Sequence, residues 1–99
     1  MSSYQRALQL VYDAIDIVNE TLEPEQRLTH TPDTVLLGEG GNLDSLGFVN
    51  FAVTVEEGLE RDFGQNVSVM EIVTASERGH WTVADLAERI AACLAPGAA

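Results

Sequence analysis

The chain has 99 residues and is strongly acidic: 16 Asp and Glu residues against 5 basic residues, all of them arginine, give a formal net charge of -11 at pH 7. This length predicts a single domain over residues 1–99, and an apolar content of 45% is that of a chain that folds. The charge argues against nucleic acid and membrane surfaces as partners, because both are bound through clustered cations. It favours proteins with basic docking surfaces.

The chain has one cysteine, Cys93, which excludes an internal disulfide and a cysteine-based metal site. We expect its side chain to be a small buried hydrophobe in a reducing compartment. No apolar run reaches the roughly 20 residues that span a membrane. The first residues also lack the pattern of a signal peptide. We therefore expect a cytoplasmic protein, and we expect it to act as a monomer.

The first predicted element is a helix, because apolar residues between Leu8 and Leu22 recur at intervals of three and four. Ser2 and Gln5 have the spacing of a capping box at its start, and Pro24 ends it. Residues 24–43 contain prolines and glycines that break any period, so they predict a long irregular loop. Three leucines are expected to hold this loop on the core: Leu36, Leu37 and Leu43.

The second predicted helix begins after Asp44, whose carboxylate can cap the free amides of the first turn, and runs to about Phe63. At about 100° per residue, one stripe forms the expected core face. Its members are Phe48, Phe51, Ala52, Val55 and Leu59.

Three further apolar residues, Leu46, Val49 and Val53, lie outside this core stripe, on the flank next to Ser45. Two interpretations of them stay open: the long loop covers them, or they form an exposed contact patch for a partner. Residues 44–62 carry five acidic side chains and one arginine, and Glu56 and Glu60 extend the same flank.

The third predicted helix is short and follows Ser68, which has capping-box spacing to Glu71. Val67 and Val69 alternate as in a strand, but we favour the helix because no partner strand is visible. The last helix opens at Thr82, with apolar residues along one face, and residues 96–99 are an expected disordered tail. The segments together predict an all-α fold: a four-helix bundle of three longer helices and one short helix, with a long loop between helices one and two.

Ser45 stands at the head of the second helix in the string Gly40-Gly41-Asn42-Leu43-Asp44-Ser45-Leu46-Gly47, and we expect its side chain to be exposed. This string resembles the attachment site of acyl carrier proteins, where Asp-Ser-Leu opens the second helix and the serine carries a 4'-phosphopantetheine arm. The order of predicted elements is similar to that family over nearly the whole chain. Gly47 departs from the pattern, since fatty-acid carriers often have an acid there.

The resemblance implies that Ser45 is the site of covalent attachment of 4'-phosphopantetheine from coenzyme A, flanked by Asp44 and Leu46. It implies that Leu46 and Val49 face partners and that Glu56 and Glu57 belong to an acidic recognition helix. With the rest of the same flank added, the expected partner-binding residues are Leu46, Val49, Val53, Glu56, Glu57 and Glu60.

The implied function is that of a carrier and not of an enzyme. A phosphopantetheinyl transferase would attach the arm. The carrier would then take acyl or aminoacyl thioesters between loading and processing enzymes of a fatty-acid, polyketide or other natural-product pathway.

The residues argue against two other functions, a serine hydrolase and a calcium-binding protein. A serine hydrolase needs a base and an oxyanion site, but Leu43 replaces the first glycine of the nucleophile elbow, and His30 and His80 are predicted to be surface or packing residues. A calcium loop starting at Asp33 would put side chains without oxygen, such as Val35, at ligand positions, so no metal site is expected. One alternative stays open: an acidic helical module that docks a partner without being modified.

Overall fold

The structure is a computed structural model that describes residues 2–38, 41, 43–75 and 79–94, without the side chain of Ser45. Within these ranges the chain is mostly helical, with four α-helices and one two-stranded sheet. The helices are α1 (Ser3–Asn19), α2 (Ser45–Phe63), α3 (Val69–Ala75) and α4 (Val83–Cys93), and the strands are β1 (Val35–Leu37) and β2 (Trp81–Thr82). No helix of the described ranges is long and apolar enough to cross a membrane. The predicted tail at 96–99 lies outside them.

The predicted capping box of α1 is confirmed, since the Ser2 hydroxyl accepts a hydrogen bond from the Gln5 amide at 3.1 Å and the Gln5 side chain accepts from the Ser2 amide at 3.2 Å. The helix ends at Asn19, so its predicted continuation to Pro24 is wrong. The Asn19 side chain instead bonds both the amide and the carbonyl of Leu28, at 2.8 and 2.9 Å. This pair of bonds holds the following loop against the end of α1.

The predicted irregular loop contains a short 3-10 turn, Pro24–Gln26, and the strand β1, which pairs antiparallel with β2. This strand pair was not predicted from the sequence. The loop also caps α4, since the Val83 amide donates to the Thr34 carbonyl and the Ala84 amide to the Pro32 carbonyl, each at 2.9 Å. As predicted, leucines hold the loop on the core, with Leu36 and Leu43 buried and Leu37 half-buried.

The core lies where α1 packs against α2 and α4. The predicted buried stripe of α2 is confirmed, since all five of its members are at most 2% exposed. Trp81 is also fully buried. Cys93, in contrast, is exposed, so the prediction that it is buried is wrong. It is the last residue of α4 and lies off the buried stripe that continues from Ile90 to Leu94.

The remaining helix boundaries follow the predicted signals. Gly64 ends α2 in the left-handed conformation, with φ 65°, which a residue without a Cβ adopts at little cost. The predicted short third helix is confirmed as α3, and the Ser68 hydroxyl accepts from the Glu71 amide at 3.2 Å. Thr82 and Asp85 form the capping box of α4.

Candidate functional site

The site begins at Asp44, the residue before α2. Its backbone is extended, and its carboxylate Oδ1 accepts a hydrogen bond from the Gly47 amide at 2.7 Å, so the predicted cap is confirmed. A Cβ on Gly47 would lie 3.1 Å from this oxygen and 3.3 Å from Cδ2 of Leu43. Glycine at position 47 therefore lets Leu43 pack into the core while Asp44 caps the helix.

Ser45 is the first residue of α2, and its side chain is outside what the structure describes, as are Gly40 and Asn42 in the preceding loop. The free amides and the dipole of the first turn favour an anionic group at this end of the helix. The Asp44 carboxylate already bonds one of these amides, and its charge opposes a second anion. The predicted exposure of the Ser45 hydroxyl stays a prediction.

An exposed row of apolar side chains starts directly after Ser45. Leu46 is 70% exposed, Val49 39% and Val53 48%, and we call these three residues the apolar row. Their spacing of three and four places them along one flank of α2 over about 10 Å. The interpretation in which the long loop covers them is therefore wrong. Among the described residues, Ile17 is the one other large apolar side chain that is exposed.

The acidic side chains beside the apolar row are in two different environments. Glu60, on the same flank as the row, and Glu57, on the neighbouring solvent face, are both exposed. Glu56 is half-buried, and its Oε2 accepts a hydrogen bond from the Val69 amide at 3.0 Å. Two of the three predicted recognition acids thus face solvent, while the third bonds the start of α3.

The one arginine of α2, Arg61, is engaged by its neighbour. Its Nε donates to Oδ1 of Asp62 at 3.0 Å. This hydrogen bond lowers the pKa of the Asp62 carboxyl and raises the pKa of the Arg61 guanidinium. Because Arg61 is paired in this way, the negative charge of Glu57 and Glu60 dominates the exposed face of the helix.

Both histidines lie at the surface, one of the two environments that the sequence predicts for them. His30 is exposed, its Nε2 lies 2.6 Å from Oδ1 of Asp16, and its ring stacks on that of Tyr12 with centroids 5.2 Å apart. It therefore anchors the long loop to α1. His80 is exposed, directly before the buried Trp81.

The structure places Asp44 and the backbone of Ser45 at the start of α2, and the apolar row follows them along one flank of the helix, as the helical period predicts for the row. Sequence reasoning missed the bond from Glu56 to α3. The available signal was the angular position of Glu56 around the helix axis, where it borders the buried stripe as well as the exposed flank.

Comparisons of the chain with protein-family models, curated proteins and solved structures found no match.

Proposed function

We propose that this protein is a carrier protein that bears a 4'-phosphopantetheine arm on Ser45. The observation that supports this most directly is the exposed apolar row, which begins at the residue after Ser45 on a helix capped by Asp44. We also propose that the fold is a four-helix bundle. In support of this, α1 packs against α2 and α4, while the short α3 packs against α2.

The residues at the start of α2 suit such an arm. The positive end of the helix dipole favours an anionic phosphodiester, and the exposed Leu46 offers an apolar contact next to it. In the attachment step the Ser45 oxygen attacks the phosphorus of coenzyme A that carries the pantetheine. A phosphoester bond forms, the diphosphate bond breaks, and adenosine 3',5'-bisphosphate leaves. The hydroxyl proton passes to a base of the transferase.

The arm supplies a thiol that holds an acyl or aminoacyl group as a thioester. In this proposal the chain itself is not a catalyst. It presents the arm at a helix end and offers one surface to the transferase and then to loading and processing enzymes. Tethering raises the concentration of the cargo at each partner's active site.

The surface suits partners with a basic rim around an apolar centre. The apolar row provides the centre, Glu57 and Glu60 are exposed further along the helix, and Asp44 is exposed at its start. Contacts between exposed charges are screened by salt and speed association more than they add affinity. Such contacts fit a carrier, which has to leave each partner quickly.

Intact-mass measurement tests the attachment. The protein is incubated with coenzyme A and a promiscuous phosphopantetheinyl transferase, beside the variants Ser45→Ala and Ser68→Ala. We expect the wild type and Ser68→Ala to gain one phosphopantetheine unit and Ser45→Ala to gain none. No gain in the wild type, or a gain in Ser45→Ala, would contradict the proposal. An unmodified chain that still binds a partner through the apolar row would favour the alternative, an acidic docking module.

A charge reversal tests the recognition surface. The double variant Glu57→Lys/Glu60→Lys should be modified more slowly than the wild type, with a weaker dependence on salt. Glu23→Lys/Glu25→Lys is the matched control, because it makes the same change in net charge at exposed residues between α1 and β1. Equal rates in the two double variants would show that total charge, and not this surface, guides the transferase.

A further inference from the structure

Helix α3 is the shortest α-helix of the described chain. It has seven residues, of which only Val69 and Val73 are buried. Isolated helices shorter than about 12 residues are not stable in water. Its main packing partner is α2. We therefore expect α3 to belong to the least stable part of the fold, which can open while the remainder stays folded.

One polar contact joins α3 to α2 at its first residue. Oε2 of Glu56 accepts a hydrogen bond from the Val69 amide at 3.0 Å, in a half-buried position and 13 residues away along the chain. The carboxylate is charged and lies at the positive end of the short helix, two features that strengthen such a bond. The Ser68 hydroxyl caps a different amide, that of Glu71, so it does not replace this contact.

Glu56 also borders the exposed flank of α2. It lies three residues after Val53 and four before Glu60, and residues at these intervals are neighbours on a helix surface. Both neighbours are exposed. A guanidinium or ammonium group of a partner docked on the apolar row would therefore approach the Glu56 carboxylate. It would compete there with the Val69 amide.

We propose that Glu56 is a latch that holds α3 against α2, and that a basic side chain of a docked partner releases it. The second half of this proposal rests on the carrier function proposed above, since it requires a basic partner on the apolar row. The first half concerns the free protein alone. Glu56 thus has a role different from those of Glu57 and Glu60, which are exposed.

Amide hydrogen exchange on the full chain, followed by NMR, tests the latch. In Glu56→Ala we expect the amides of α3 to exchange about tenfold faster than in the wild type, which corresponds to about 1.4 kcal/mol. Amides of α1 and α4 should keep their rates. Glu57→Ala is the matched control, and it should leave α3 unchanged. Equal exchange of α3 in the two variants, or an equal increase throughout the protein, would overturn the latch.

The same measurement in the presence of the transferase, without coenzyme A, tests the release. We expect binding to protect amides of α2 and to speed exchange in α3 of the wild type. In Glu56→Ala, α3 should show no further increase. Unchanged or slower exchange of α3, with a transferase that does modify Ser45, would overturn the release. Failure of the carrier function gives a different result. The wild type then gains no mass in the transferase reaction, while Glu56→Ala and Glu57→Ala without a partner still differ in the exchange rates of α3.

Discussion

Val53 and Val55 lie two residues apart on α2 and are the same residue type, but Val53 is 48% exposed and Val55 is fully buried. Replacing each by alanine in turn separates the docking surface from the core. The two variants lose the same atoms from the same helix. Any difference between them therefore reports the surroundings of the two side chains.

The size of each effect follows from burial. Val55→Ala removes two buried carbons, which costs about 1.6 kcal/mol of transfer free energy. The cavity left behind adds about 1 kcal/mol and the better helix propensity of alanine returns about 0.5 kcal/mol, so the total is about 2 kcal/mol. Val53→Ala removes atoms that are half in water and leaves no closed cavity. Its loss of about 0.8 kcal/mol is offset by the better helix propensity of alanine, so the net change is below about 0.5 kcal/mol.

Urea and thermal unfolding measure this difference, with the fluorescence of the single, fully buried Trp81 as the signal. We expect Val55→Ala to melt about 10–20 °C below the wild type and Val53→Ala within about 3 °C of it. The transferase reaction should show the reverse order. Folded Val55→Ala should keep the wild-type rate, and Val53→Ala should lose about fivefold, as expected for a contact of about 1 kcal/mol.

Two results would refute this reasoning. Equal destabilisation by the two substitutions would mean that the apolar row is packed in solution. A wild-type rate of modification in Val53→Ala would mean that the transferase does not contact this part of the row.

Two further predictions concern contacts outside the proposed site. Asn19→Ala removes both bonds to Leu28, so we expect a loss of about 2 kcal/mol in unfolding free energy and faster proteolysis of the long loop. An unchanged unfolding free energy with unchanged proteolysis would contradict this account of the loop. The Arg61 hydrogen bond lowers the pKa of Asp62. The stabilisation from this bond is therefore present above the ordinary carboxyl pKa and is lost as pH falls through the lowered pKa of Asp62. In Arg61→Gln the NMR titration midpoint of Asp62 should rise, and an unchanged midpoint would disprove the cause.

The helix boundaries could be predicted because the signals that set them are local. Asp44 and Gly64 mark the two ends of α2 within one residue of the helix itself. The caps formed by Ser2, Ser68 and Thr82 each join residues three apart, so sequence spacing is enough to recognise them. The end of α1 was missed because the Asn19 side chain bonds a residue nine positions further along the chain.

The apolar row shows how far a helical period reaches. The period places Leu46, Val49 and Val53 on one flank outside the buried stripe, and the structure confirms this. Whether a distant segment covers that flank depends on where the long loop lies, and pairing with β2 holds part of that loop next to α4. A helical wheel carries no information about such a segment.

The sequence by itself determined where the helices begin, which face of α2 is buried and where its acidic residues stand, because caps and periodicity act over a few neighbouring residues. Only the tertiary structure decided that the apolar row is exposed, that β1 pairs with β2, that Cys93 is on the surface and that Glu56 bonds the Val69 amide. The physical reason is that a buried amide needs an acceptor, and that packing selects which distant residue supplies it and which apolar side chains stay uncovered.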